Sequence, residues 1–95
     1  MKGEKEMDRY IKFIVGTPYI GTEDTIYEVY SGDTTDDFLN KILEEHICNN
    51  AESYEYLATD WGEDFESEED RDNYYADCWG EWIDMTRQDF EEEAG

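Results

Sequence analysis

Carboxylates held at close range repel one another, so a chain rich in them can fold only by keeping nearly all of them in water and gathering its apolar residues into one place. This chain carries 28 Asp and Glu against 7 Lys and Arg, a formal net charge of -21 in 95 residues. A magnitude of about 2–8 is enough to keep a small domain soluble, so solubility alone does not account for the excess. Extreme charge often accompanies disorder, but 16% of the residues are aromatic and 38% are hydrophobic, enough for one modest core. A single folded domain over residues 1–95 is expected, with the polar residues 1–9 as a flexible start.

The apolar residues sort into short periodic runs. Tyr10–Gly16 alternates, with Ile11, Phe13 and Val15 on one side and Lys12 on the other, which is a strand pattern. Pro18 and Gly21 mark a loop, and Thr25–Tyr30 reads as the return strand of an antiparallel hairpin over residues 10–30. Ser31-Gly32-Asp33 ends it, and Thr34 with Asp37 forms a capping pattern that starts a helix over 34–48. Phe38, Leu39, Ile42, Leu43 and Ile47 make its apolar stripe, and Asn49-Asn50 is its expected stop. A third strand or a helical turn is expected near Tyr54–Ala58. Ser67 with Asp70 caps again, and the absence of Pro beyond it predicts one long acidic helix over 67–92. The fold class is α+β: a small antiparallel sheet, the hairpin with or without a third strand, packed with two helices.

On a wheel of about 100° per residue, Asp77, Glu81, Asp84, Gln88, Glu91 and Glu92 fall within roughly 60° of Asp70. Tyr75, Trp79, Trp82, Ile83, Thr86 and Phe90 fall on the opposite side. The long helix would thus seat an apolar stripe on the core and expose an acidic line about 30 Å long. Asp60, Glu63, Asp64, Glu66 and Glu69 extend the negative field upstream. The candidate partner-binding residues are therefore Asp60, Glu63, Asp64, Glu66, Glu69, Asp70, Asp77, Glu81, Asp84 and Glu91, with Trp61 and Tyr74 as aromatic anchors against Lys or Arg of a partner.

The same charge excludes several functions. Phosphate affinity comes from Lys and Arg releasing counterions, so direct binding of nucleic acid or of an anionic membrane has the wrong sign. No apolar run reaches the ~20 residues of a membrane span, and the start lacks a signal-peptide core, which makes the cytoplasm the expected location. Asp60, Glu63, Asp64 and Glu66 offer oxygens but not the order of a calcium-binding loop, so no metal or other cofactor is expected. No pair of carboxylates is singled out for acid–base work, and an enzyme is not expected. His46, two residues from Cys48, points to a different helix face and reads as a helix-end histidine favouring the dipole. Cys48 and Cys78 fit neither a disulfide framework nor a metal knuckle and read as reduced, partly buried thiols.

The stretch FIVGTPYIGTEDTIYEVYSGDTTDDFLNKILEEHI, residues 13–47, resembles a family of small acidic phage- and prophage-encoded proteins. In size, acidity and aromatic content the chain also resembles anti-CRISPR and anti-restriction DNA mimics. That resemblance implies an inhibitor that occupies a basic DNA-binding site on a CRISPR effector or restriction nuclease in the infected bacterial host cell, with no catalytic residue of its own. The partner would be a basic nucleic-acid-binding protein or ribonucleoprotein, with homodimerisation left open. The alternative is a phage adaptor or assembly protein that binds through aromatic surface.

Overall fold

A computed structural model of the chain describes residues 8–59 and 64–94. Strand β1 (Arg9–Gly16) lies at the centre of a three-stranded sheet, with β2 (Asp24–Tyr30) on one side and β3 (Trp79–Met85) on the other, both antiparallel to it. The alternation in β1 fixes the core: Ile11, Phe13 and Val15 are fully buried. Phe13 faces Ile26 of β2 and Trp82 of β3. Helix α1 (Asp36–Ser53) closes this face, where Leu39, Ile42 and Leu43 pack with Ile11 and Phe13. Each side chain buried this fully stabilises the fold by about 1.5–3 kcal/mol.

Helix α1 begins two residues later than expected, at Asp36, and runs further, to Ser53. Thr35, not Thr34, is its cap, its hydroxyl accepting the Phe38 N–H at 3.1 Å, while Asp36 and Asp37 favour the first-turn dipole. Asn49-Asn50 does not stop it. Asn50 is buried, and its side-chain amide donates to the Thr22 carbonyl at 3.0 Å, so it ties the helix to the hairpin loop. His46 is accordingly mid-helix rather than at an end. Its ring packs 4.8 Å from that of Phe13, and Nε2 lies 3.7 Å from the Glu28 carboxylate. Cys48 is exposed, contrary to expectation, while the half-buried Cys78 donates its thiol to the Tyr74 carbonyl at 3.3 Å. Burial pushes the Cys78 thiol pKa up.

The largest correction concerns residues 67–92, which are not one helix. Ser67 does cap a helix, accepting the Asp70 N–H at 3.1 Å, but α2 (Glu68–Asp77) ends after ten residues. Cys78 is extended, β3 follows, and only then does α3 (Arg87–Ala94) begin. Trp79, Trp82 and Ile83 satisfy a helical spacing, but the same run also alternates. Gly80, Trp82 and Asp84 take one face and Trp79, Glu81, Ile83 and Met85 the other. Pairing with the free edge of β1 satisfies a full row of backbone groups, and the β-prone Trp and Ile fit it. Gly80 favours the same outcome: it weakens a helix by about 1 kcal/mol. In the strand it lets α1 approach so closely that a Cβ there would lie 2.7 Å from Ile47.

The near-terminal region is also tied down. Arg9, expected in a flexible start, opens β1 and pairs with Asp84 and Asp36, while residues 1–7 lie outside the described residues. On the face of the sheet opposite α1, Phe90 of α3 packs against Tyr10 and Tyr27 at ring distances of 5.2 and 5.9 Å. Glu93 takes a 2.8 Å ion pair from Lys12 and a 3.0 Å hydrogen bond from the Tyr27 hydroxyl. The turn expected near 54–58 is a short 3-10 helix, Glu55–Leu57. No helix of the described residues is long and apolar enough to cross a membrane.

Candidate functional site

Helix α2 is seated by its tyrosines. Tyr74 is 5% exposed and its hydroxyl donates to the Ala51 carbonyl of α1 at 2.7 Å, so the ring is a structural anchor and not the partner-facing group expected of it. Burial, before any neighbouring charge, drives the Tyr74 pKa well above the ordinary tyrosine range. Tyr75 donates its hydroxyl to the Glu55 carboxylate, and burial followed by that hydrogen bond pushes it up to about 12. Against the other side of Tyr74 lie the rings of Tyr19, from the hairpin loop, at 6.3 Å and Phe65 at 5.9 Å.

These aromatic rings border an open groove of about 630 Å³ between α2, the turn after α1 and the β1–β2 loop. Asp64, Glu66, Asp70 and Asp77 also line it, and all four are exposed. Among the described residues no Lys or Arg lines the groove and no ion pair reaches any of the four. The only basic residue of α2, Arg71, has its guanidinium over the Tyr75 ring at 5.6 Å instead. Of the described residues from Glu52 to Cys78, nine are acidic and one is basic, so this end of the molecule carries a concentrated negative field.

Five of the expected site residues thus meet at one groove: Asp64, Glu66, Asp70, Tyr74 and Asp77. The rest do not join them. Glu69 is exposed in the first turn of α2 but away from the groove. Glu81 sits on the outer face of β3. Asp84 is held by Arg9 at 2.7 Å, and Glu91 by Arg87 at 3.1 Å, so both are occupied within the chain. The straight acidic line of a single helix therefore does not exist, because Asp77, Asp84 and Glu91 stand on three different elements. Asp60, Trp61 and Glu63 lie outside the described residues.

Sequence reasoning missed Pro18, Tyr19 and Phe65. Only the paired threonines around Pro18-Tyr19-Ile20-Gly21 hint that this loop is built rather than slack. Among the described residues no group of three or more His, Cys, Asp or Glu side chains is placed to hold a metal ion. A groove with carboxylates on its walls and aromatic faces beside them is suited to guanidinium or ammonium groups, which carboxylates pair with and rings attract. No protein-family model, curated protein or solved structure matches the chain.

Proposed function

We propose that this chain is a non-enzymatic binding protein whose acidic groove takes up Lys and Arg side chains of a partner, at a site the partner otherwise uses for nucleic acid. The observation that carries the reading is the groove itself: four exposed carboxylates, aromatic faces, and no basic residue among its described lining. Leaving like charges unneutralised destabilises the compact state, and a cationic partner offsets that cost on binding. Charge density at the α2 end, rather than a row spaced like phosphates, is what the partner meets.

The resemblance in character to anti-CRISPR and anti-restriction DNA mimics makes a CRISPR effector or restriction nuclease the partner class, and a phage-encoded inhibitor the role. The second reading, an adaptor that binds through apolar surface, is favoured by Trp79 and Ile83, which are 41% and 40% exposed on the sheet face that α3 leaves partly open. The two separate on one experiment: capture of partners from bacterial lysate by the tagged full chain, with added duplex DNA as competitor. A nucleic-acid-binding protein retained at low salt and released by DNA supports the inhibitor. A partner indifferent to salt and DNA, and lost on Trp79→Ala, supports the adaptor instead.

A further inference from the structure

The β1–β2 loop is held by a closed set of hydrogen bonds centred on the buried Thr17 and Thr22. The Thr22 hydroxyl donates to the Tyr19 carbonyl at 2.8 Å and accepts the Thr17 N–H at 3.1 Å. The two threonine hydroxyls lie 2.7 Å apart, and Thr17 Oγ1 accepts the Tyr19 N–H at 3.1 Å. Gly21, at φ 86°, supplies the left-handed turn that a larger residue resists. Asn50 anchors the whole loop to α1. Out of this rigid base Ile20 projects with 99% of its surface exposed, next to exposed Pro18 and Tyr19. An isolated surface Ile needs no explanation. Three consecutive apolar residues, fixed in water by a buried network and bordering a charged groove, do.

Pro18 and Tyr19 line the acidic groove, so the tip and the carboxylates form one surface. We propose that Ile20, flanked by Pro18 and Tyr19, is an apolar anchor that seats in a non-polar pocket of the partner protein, beside the Lys and Arg side chains the groove meets. This rests on the groove being the acidic binding surface proposed above. The charge decides between occupants: a second copy of a -21 chain and an anionic lipid surface are both repelled, and a cationic protein surface is attracted. Because the loop is already ordered, little conformational freedom is lost when it docks, and a buried aliphatic side chain at the centre of such a surface dominates residence.

The test places a photo-reactive side chain, Ile20→p-benzoylphenylalanine or Asp70→p-benzoylphenylalanine, in the full chain in bacterial cells, with adducts mapped by mass spectrometry. Adducts from both positions on one nucleic-acid-binding protein, with the position-20 adduct in an apolar segment adjoining Lys or Arg, support the proposal. In that case Ile20→Ser lowers the yield of complex about tenfold while leaving the thermal melt unchanged. Adducts from position 70 alone overturn the anchor and leave the acidic groove standing. Adducts from position 20 to lipid, to a second copy or to a surface without basic residues overturn it as well. No adduct from either position overturns both the anchor and the groove.

Discussion

Around the sheet, cations are used to neutralise the chain's own carboxylates: Arg9 holds Asp84 and Asp36, Lys12 holds Glu93, and Arg87 holds Glu91. Around α2 the one Arg lies over a tyrosine ring, and Asp64, Glu66, Asp70 and Asp77 line an open groove. The sheet end fills its inner face with Ile11, Phe13, Leu39 and Trp82, whereas the α2 end rests on Tyr74, Tyr75 and Phe65. Carboxylates near the sheet are paired within the chain, and among the described residues those lining the groove are not. At the sheet the Arg9 and Lys12 pairs tie different elements together, so Asp36, Asp84 and Glu93 are part of the structure. At the groove the four acids form no ion pair among the described residues, and on the proposed reading a cationic partner relieves their repulsion.

Substitutions at the two ends should therefore diverge. Phe13→Ala empties the centre of the core and costs about 3–5 kcal/mol, enough to unfold a domain this small at ordinary temperature. Asp64→Asn, Asp70→Asn and Asp77→Asn together remove repulsion while giving up the favourable place of Asp70 in the first turn of α2, and leave the urea midpoint little changed. If the triple variant unfolds as readily as the core variant, the groove acids are structural and the contrast fails.

Gly80→Ala gives the next largest effect and carries a sign. In a helix over 67–92 it would stabilise by about 1 kcal/mol. In β3 the new Cβ meets Ile47 and Leu43 at 2.7 to 3.0 Å, and the overpacking costs about 1–3 kcal/mol. A raised melting temperature would contradict the strand.

The smallest effects lie at the extremes of pH, and they separate the two ends. The folded pKa of Tyr75 is about 12, above the unfolded value of about 10, so its contribution is full below pH 10 and is lost as pH rises toward 12. The buried Tyr74 and the half-buried Tyr30, also raised, act in the same direction. Glu93 goes the other way. The Lys12 hydrogen bond, then that of Tyr27, holds its pKa below the usual carboxylate range, so its contribution is present above about pH 4.3 and is lost as pH falls through the lower folded value. Tyr75→Phe should flatten the alkaline limb of stability against pH, and Glu93→Gln should converge with the parent chain in acid. Measured melts that show the reverse assignment would undo the comparison.

How much of this the sequence discloses depends on whether a run satisfies one period or two. Tyr10–Val15 alternates and does nothing else, so the central strand and its core face are readable. Trp79–Met85 fits both a helix and a strand, and the factor that decides between them, the open edge of β1, lies about 70 residues away in the chain. The acids of α2 are visible in composition alone. Tyr19 is not, because it reaches Tyr74 only after Asn50 of α1 has drawn in the hairpin loop, a contact that no local pattern reports. For the same reason Tyr74 reads as an exposed anchor from sequence and proves to be buried.

On the proposed reading, the position of the groove carboxylates and not total charge governs binding. The measurement that tests it most directly compares the affinity of the captured partner for two variants that raise the net charge of -21 by the same three units. One carries Asp64→Asn, Asp70→Asn and Asp77→Asn in the groove. The other carries Glu44→Gln, Glu45→Gln and Asp89→Asn, at exposed positions on α1 and α3. Loss of two desolvated charge pairs of about 1.5 kcal/mol each weakens the groove variant about 100-fold or more, while the control changes only a few-fold. Equal losses in the two variants, or none in either, would show that the groove is not the binding surface.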